Sequence, residues 1–504
     1  MGKDYVNLAE PRKLSAVMLK LWRENRTPFL SALLFGFAAH GYAFGNKLLN
    51  HDEIESLFGK GATVTSGRWG LELVKLLFPD FSMPWIYGIL SLLLIGAACC
   101  LMLKMLGIRS ALLRVLLPAL IVSFPSLTGT FCFLFTAPAY AWSFFLTTLS
   151  VFLISRSGWK ALTLAVPLLI LALGIYQAYI SLAASLCILL MIRDALDAEK
   201  TPARIIRFGV GALGVLLLSV ALYYAVTLLV FRVTGAEFNA YVTENVNGSI
   251  SLPRRVRMAY DNFFYIFSFR NFYIISSEFS RKLHIVLCAL LLCGLAYLSL
   301  RRKKGLHTLL LALLLCLLPL SICCMFLIMS RESIHTLVMY SFVTVYLLMG
   351  LTAERIRVRG LVPLLSAALA VVVMGNVYFA NMCYLKMQLQ YENARAFYTA
   401  LTARVQSTDG FDETCRLAIL GRQENLLHSF PEMDTDLFMG VNRELVNIYS
   451  RENLLRFYLG QDFSFAGEEE LERLEEDPRF QAMAEYPYDG SVRKIDDCVV
   501  VKFG

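Results

Sequence analysis

The chain has 504 residues, of which 57% are hydrophobic and 17% are charged, and its mean hydropathy is +0.59. Soluble domains seldom combine so much apolar sequence with so little charge, which argues against a soluble enzyme. Several runs of about 18 or more residues contain almost no charge, and this pattern predicts an α-helical polytopic membrane protein.

Apolar runs along the chain predict eleven membrane-spanning helices. The apolar stretch 159–192 would be about 50 Å long as a single helix, which exceeds the ~30 Å hydrocarbon core of a bilayer. We therefore expect two short helices that meet in the segment Gly174–Tyr179. The predicted spans are residues 28–46, 84–106, 108–125, 131–154, 159–174, 177–192, 208–231, 284–300, 306–328, 337–353 and 360–381.

Lysine and arginine residues gather in alternate loops. The first 27 residues hold six of them, whereas the short loops 126–130 and 174–178 hold none. Basic residues are enriched on the cytoplasmic side of membrane proteins, so residues 1–27 are predicted to be a basic cytoplasmic tail. The loops 47–83 and 233–283 and the C-terminal region then lie outside the cytoplasm.

The C-terminal segment 384–504 differs in charge from the rest of the chain. It holds 13 Lys and Arg residues against 22 Asp and Glu residues, a net charge of −9, which leaves +17 for residues 1–383. Helical patterns alternate there with short apolar runs, which predicts a small extracytoplasmic α/β domain. Cys415 and Cys498 would face an oxidising environment in this position, and a disulfide between them is one of two open alternatives.

A cluster of charged residues directly follows the first span, in the sequence NHDEIES. His51, Asp52, Glu53 and Glu55 are all close to the predicted membrane boundary. Solvated loop residues are one explanation. The other is functional, because the next segment, GRWGLELVKLLFPDF, is amphipathic and is typical of a helix that lies in the membrane interface. A carboxylate beside lipid headgroups could activate a hydroxyl group against a lipid-linked donor.

This region resembles the Gtr-type (type II) O-antigen glucosyltransferases of bacteria. The acidic pair of that family corresponds to Asp52-Glu53, and its Gly-Arg-aromatic element corresponds to Gly67-Arg68-Trp69. One departure concerns the acidic pair, which is usually Asp-Asp. Asp52 is therefore the better candidate for catalysis, and the role of Glu53 stays open.

Two further motifs support the same resemblance, which covers roughly residues 28–400. A Tyr-Gln-Ala motif at an outer hairpin corresponds to Tyr176-Gln177-Ala178, and an arginine in the outer loop before a late span corresponds to Arg331. The resemblance implies a fold of the GT-C class, here a transmembrane domain of residues 28–383 with about eleven helices.

The resemblance also implies a reaction and a location. Enzymes of this class take a sugar, in this family glucose, from a polyprenyl-phosphate donor and transfer it to a cell-surface polysaccharide outside the bacterial cytoplasmic membrane. The expected mechanism is inverting, with Asp52 as the general base and Glu53 as the second acidic residue. Arg331 and Arg68 are the candidates for binding the donor phosphate, since a guanidinium group binds phosphate bidentately.

Other residues are weaker candidates for substrate binding. His51 could orient Asp52 or be simply exposed, and Gln177 could line a cavity or hold two helices together. A divalent Mg²⁺ or Mn²⁺ ion would suit carboxylates beside phosphate, but the acids are too few to predict a metal site. The substrate-binding candidates are His51, Trp69, Tyr176, Gln177, Arg254 and His335.

Three other kinds of protein remain as alternatives, namely a polymerase, a flippase and a non-catalytic membrane scaffold. An O-antigen or capsule polymerase would use arginines in large outer loops, and the cluster Arg254–Arg257 fits that pattern. A polysaccharide-lipid flippase would show ionisable residues inside its spans and internal repeats, and neither is evident in the sequence. The expected partners are the lipid-linked donor, the polysaccharide acceptor and the bilayer, and no nucleic acid.

Overall fold

Helices make up most of the chain in the computed structural model. Proline starts several of them, as at Pro84 and Pro202, where its missing N–H group has no intrahelical partner in any case. The structure describes residues 11–58, 63–78, 81–156, 158–245, 250–267, 278–302, 305–329, 336–356, 358, 360–421, 440–441, 446–447 and 449–504.

Nineteen α-helices are present in these described ranges. They are α1 (Pro11–Gly45), α2 (His51–Glu55), α3 (Gly70–Val74), α4 (Pro84–Leu106), α5 (Ala111–Ser123), α6 (Pro125–Phe131), α7 (Ala137–Ser155), α8 (Trp159–Ile175), α9 (Tyr179–Asp197), α10 (Pro202–Thr234), α11 (Ala240–Asn245), α12 (Leu252–Phe267), α13 (Glu278–Arg302), α14 (Gly305–Ile322), α15 (Val343–Arg355), α16 (Leu361–Gln406), α17 (Arg451–Asn453), α18 (Glu468–Glu475) and α19 (Pro478–Gln481).

Eight helices of the described part are long and apolar enough to cross a membrane, or nine if the bent pair α5 and α6 forms one span. Two predicted spans correspond to shorter helices. The helix α8 has 17 residues, and α15 has 13 residues and follows two 3₁₀ turns. The chain is thus a multi-pass membrane protein, and the total of eleven spans stays a prediction.

The predicted division of residues 159–192 is confirmed. The helix α8 ends at Ile175 and α9 begins at Tyr179, so the apolar stretch forms two helices. Tyr176 has an extended backbone and ends the first helix.

The region around residues 124–136 differs from the predicted short loop at 126–130. Residues 125–131 form the buried helix α6, which is bent by 46° from α5. Pro125 has no N–H group, so the carbonyl of Ile121 loses its helical partner. The Tyr340 hydroxyl donates to that carbonyl at 2.6 Å, and His40 Nε2 lies 2.8 Å from the carbonyl of Val122. These bonds satisfy the broken helix inside an apolar core.

The helix α16 connects the bundle to the C-terminal region without a break. Its 46 residues span about 69 Å at 1.5 Å per residue, roughly twice the thickness of a bilayer core. Position 383, which we predicted as the domain boundary, lies inside this helix.

A four-stranded sheet forms the centre of the C-terminal domain, as the α/β pattern predicted. Its strands are β1 (Arg416–Leu420), β2 (Ser464–Phe465), β3 (Val492–Ile495) and β4 (Cys498–Lys502), in the order β2-β1-β4-β3. The strand β1 is parallel to β2 and β4, whereas β3 and β4 form an antiparallel hairpin.

The two cysteines of this domain are free thiols, so the disulfide alternative is wrong. Cys415 packs with Leu417 and Val499 on one side of the sheet, whereas Cys498 packs with Ala418 and Val500 on the other. Side chains alternate between the two faces of a strand, and this alternation directs the two sulfurs away from each other.

Candidate active site

The acidic residues after the first long helix belong to the short helix α2. Asn50 caps this helix, because its Oδ1 accepts from the Glu53 amide at 2.8 Å. Its Nδ2 donates to the Cys132 carbonyl at 2.6 Å, which fixes the start of α2 against the turn before α7. Asp52 and Glu53 lie in the first turn of α2, where the helix dipole favours negative charge.

Glu53 is fully buried, and both of its carboxylate oxygens have hydrogen-bond donors. Its Oε2 lies 2.5 Å from Lys47 Nζ and accepts from Ser82 Oγ at 2.8 Å. Its Oε1 accepts from the Phe135 amide at 2.7 Å. A buried carboxylate needs such compensation, so Glu53 ties α2 to three other segments of the chain.

Asp52 points in a different direction and keeps 42% of its side chain exposed. His51 Nε2 lies 3.6 Å from its Oδ1, which is beyond ordinary hydrogen-bond distance. The Tyr449 hydroxyl donates to the same oxygen at 3.3 Å. Within the acidic pair, Asp52 is therefore the carboxylate that can meet a substrate.

The Gly-Arg-Trp element forms a tight turn before α3. Gly67 has a φ of +70°, and a Cβ atom at this position would lie 2.7 Å from the Tyr223 hydroxyl. Glycine is thus required both by backbone conformation and by space. Trp69 packs on Gly174, where a Cβ atom would lie 2.6 Å from the indole ring, and its Nε1 donates to Thr227 Oγ1 at 3.2 Å.

Arg68 is held by two tyrosines. Its Nη1 donates to the Tyr140 hydroxyl at 3.0 Å, and its guanidinium carbon lies 5.4 Å from the centre of the Tyr176 ring. The two tyrosine rings are stacked with centroids 4.2 Å apart. A guanidinium group over an aromatic face is stabilised by the ring quadrupole. These contacts fix the position of a cation near the end of α8.

Gln177 joins the same cluster from the other side. Its Nε2 donates to the Ser66 carbonyl at 3.0 Å and to the Tyr223 hydroxyl at 2.9 Å, and Tyr223 in turn donates to the Gly67 carbonyl at 3.0 Å. The structure thus brings together two motifs that are about 110 positions apart in the sequence. The contacts of Gln177 favour the alternative in which it holds chain segments together.

Both parts of the site are attached to the short segment 135–140, which leads into α7. The Phe135 amide binds Glu53, and the Tyr140 hydroxyl binds Arg68. Phe135 lies in the turn directly before α7, and Tyr140 lies in the first turn of that helix. Through them, the acidic helix and the arginine turn are fixed to one structural element.

Comparison with known proteins identifies the family of this chain. A family model described as "Glucosyl transferase GtrII" matches residues 41–348, about three fifths of the chain. The chain belongs to this family. Neither a curated protein nor a solved structure gives a significant match. Membership in the GtrII family indicates that the protein is a glucosyltransferase.

The match to the GtrII family includes α2, the Gly-Arg-Trp turn and the Tyr-Gln-Ala motif. It also includes Arg331 and His335, which lie outside the described residues. Arg254 also falls within the family match. It lies on α12, where it lines a cavity of about 740 Å³ with Arg257 and Asp261. The helix α12 packs against α14 and the 3₁₀ turn Cys324–Leu327.

Sequence reasoning missed several residues of this candidate site. Neither Lys47 as the ion-pair partner of Glu53 nor Tyr223 as the anchor of the Gly67 turn had a local signal. Tyr449 lies outside the family match and nearly 400 positions from Asp52. In the part of the chain that the structure describes, no group of three or more His, Cys, Asp or Glu side chains could hold a metal ion.

Proposed function

We propose that this protein transfers a hexose, glucose by its family, from a polyprenyl-phosphate donor to a cell-surface polysaccharide at the outer face of the bacterial cytoplasmic membrane. The observation that carries this proposal is the exposed carboxylate of Asp52. The helix α2, which carries it, and the fixed guanidinium of Arg68 are both hydrogen-bonded to the segment 135–140. A base and a cation at a membrane boundary suit a substrate with a sugar, a phosphate and a lipid tail.

Asp52 acts as the general base in this proposal. The acceptor hydroxyl oxygen attacks the anomeric carbon from the face opposite the phosphate, and its proton passes to the Asp52 carboxylate. The bond between the anomeric carbon and the phosphate oxygen breaks, and its electron pair leaves with the polyprenyl phosphate. The sugar is transferred with inversion at the anomeric carbon.

Arg68 stabilises the leaving group. The phosphodiester becomes a phosphomonoester, so negative charge increases on oxygen during the reaction. A cation that is already fixed needs little reorganisation to stabilise this charge, and its effect is greatest where water is scarce. Tyr140 and Tyr176 provide this fixation. Arg331 remains a second proposed phosphate ligand.

Glu53 contributes indirectly in this proposal. Its buried carboxylate holds α2 in place through Lys47, Ser82 and Phe135, and α2 carries Asp52. His51, Trp69, Tyr176, Gln177, Arg254 and His335 remain proposals for substrate binding.

The test is a transfer assay with purified protein in lipid nanodiscs, polyprenyl-phosphate [¹⁴C]glucose and a surface polysaccharide. We expect Asp52→Asn to lower the transfer rate at least about a hundredfold, the range of general-base catalysis. Glu469→Gln, at an exposed carboxylate of α18 away from α2, is the control and should retain activity. Full transfer by Asp52→Asn would overturn the assignment of the base.

The location is tested separately. A cysteine at position 52 should react with a membrane-impermeant maleimide added outside spheroplasts, in a background without the other reactive cysteines. Reaction only after the membrane is opened would contradict an external site.

A further inference from the structure

The C-terminal domain lies directly on the helix that carries Asp52. Tyr449 donates to Asp52 Oδ1 at 3.3 Å, Asn453 Nδ2 donates to Glu55 Oε2 at 3.0 Å, and the ring of Phe457 lies 5.1 Å from that of Phe58. The three residues from the domain are spaced by four, which places them on one face of a helical segment. The contacts occur in the same order along both segments, so residues 449–457 lie beside residues 52–58 and run in the same direction.

This contact is anchored by a shared hydrophobic core. Leu49 and Ile54, which flank Asp52 in sequence, are fully buried among residues of the C-terminal domain. Their neighbours there include Tyr398 of α16 and Leu454 and Leu455 of the segment that follows α17. Burial of two such apolar side chains stabilises the contact between α2 and the C-terminal domain. The position of α2 therefore depends on the C-terminal domain as well as on the bundle.

Tyr449 is suited to hold a carboxylate. Partial burial is the largest cause that raises the pKa of its phenol; a hydrogen bond with Asn447 lowers this pKa, and the nearby charges of Asp52 and Glu55 raise it further. The hydroxyl therefore keeps its proton at neutral pH and acts as a donor to Asp52. The Tyr449 ring also packs edge-on against His51, with centroids 6.0 Å apart. Hydroxyl and ring together restrict the Asp52 side chain.

On the basis of the proposed function, we infer that Tyr449 is a positioning residue for Asp52, so that the C-terminal domain completes the active site. The hydroxyl orients the carboxylate towards the incoming acceptor hydroxyl, and Asn453 keeps the next turn of α2 in register. The family match ends at residue 348. The C-terminal domain, which lies outside the part of the chain that matches the family, would therefore position the catalytic base.

The test compares Tyr449→Phe with the unaltered protein in the nanodisc assay. Phenylalanine keeps the ring contact with His51 and removes the hydrogen bond. We expect kcat to fall roughly tenfold, because a hydrogen bond to a charged group is lost. The KM for the lipid donor should change less than twofold. Tyr488→Phe, at an exposed tyrosine of the same domain, is the matched control and should leave kcat unchanged.

A double-mutant cycle separates positioning from general destabilisation. If Tyr449 acts through Asp52, Tyr449→Phe should have no further effect on the residual rate of Asp52→Asn. An equal loss of rate in both backgrounds would overturn the inference, and so would an unchanged kcat in the single variant. Asn453→Leu provides a second variant, with a smaller loss of kcat that also depends on Asp52.

Failure of this inference can be distinguished from failure of the proposed function. If Asp52→Asn is inactive and Tyr449→Phe is fully active, Asp52 is still supported as the base, and the proposed role of Tyr449 is wrong. If Asp52→Asn is fully active, the proposed base itself is wrong.

Discussion

Arg68 lies over the ring of Tyr176, with 5.4 Å between the guanidinium carbon and the ring centre. The two residues are 108 positions apart in the sequence and come from different loops. Their contact joins the Gly-Arg-Trp turn to the break between α8 and α9. The pair therefore holds a positive charge at a fixed place while the helices around it provide an apolar environment.

The first prediction concerns the chemistry of Arg68. Arg68→Lys keeps the charge but loses the planar fork that stacks on Tyr176 and binds phosphate through two N–H groups. We expect kcat to fall roughly 10- to 100-fold in the transfer assay, within the range for loss of one oxyanion-stabilising donor. Arg395→Lys, at an exposed arginine on α16, is the control. Wild-type kcat in Arg68→Lys would show that any nearby cation suffices.

The second prediction concerns the burial of Glu53. Glu53→Gln leaves Lys47 beside a neutral amide and weakens the bonds to Ser82 and Phe135. We expect a loss of about 2–3 kcal/mol in the free energy of unfolding, because one partner of a buried ion pair remains. Thermal unfolding in detergent measures the effect.

A double variant checks the cause of that loss. Glu53→Gln combined with Lys47→Met removes both charges and should recover part of the stability. Equal melting temperatures for the single variant and the unaltered protein would show that the carboxylate does not hold α2.

The third prediction concerns the close approach of Trp69 to Gly174. In Gly174→Ala, the new methyl group would meet the indole ring at 2.6 Å, so the Gly-Arg-Trp turn must shift. We expect a loss of about 1–3 kcal/mol in stability from overpacking, together with a lower transfer rate. Tryptophan fluorescence and the transfer assay report the two effects.

The control for this substitution is Gly211→Ala on α10, where the structure leaves open space for a Cβ atom. It should leave the rate unchanged and should not lower stability, because alanine favours a helix more than glycine does. An active and stable Gly174→Ala variant would contradict the tight packing of the turn.

The fourth prediction concerns the response of the C-terminal domain to acid. Arg479 lies between Asp477 and Asp496, at 2.8 Å and 2.9 Å, and its hydrogen bonds lower the pKa of both carboxyl groups. These two ion pairs therefore stabilise the folded domain fully above about pH 4, which is the pKa of aspartate in the unfolded chain. The stabilisation is lost as the pH falls through the lower pKa values of the two groups in the folded protein. Hydrogen exchange of peptides from residues 477–504 should show protection decreasing below that pH.

Arg479→Met tests the cause of this acid response. The variant should show less protection at neutral pH and a flatter pH profile, because the carboxyl groups no longer have a partner. Arg493→Met on β3 is the control. The same acid response in Arg479→Met and in the unaltered protein would place its cause elsewhere.

The sequence predicted the elements of this protein better than their contacts. Apolar runs set most helix ends to within a few residues, because a long uncharged helix is a local property. The buried helix α6 was missed, since the prediction of a turn did not consider that Tyr340 and His40 could satisfy a broken helix within the core.

In the candidate site, too, the sequence predicted residues but not the contacts between them. Family resemblance identified Arg68 and Tyr176, but only the structure shows that their side chains touch. The contact of Tyr449 with Asp52 has no sequence signal at all, because it depends on how the whole C-terminal domain packs on α2. Long-range contacts of this kind follow from tertiary packing and not from periodicity.

The unbroken length of α16 has a mechanical consequence. A helix that runs from Leu361 to Gln406 without a hinge behaves as a stiff rod, with one end in the bundle and the other beneath the sheet. A change in bilayer thickness that tilts such a rod also displaces whatever is fixed to its far end. We therefore expect the domain that touches Asp52 to respond to the lipid environment, and the rate of sugar transfer to depend on the thickness of the bilayer around the protein.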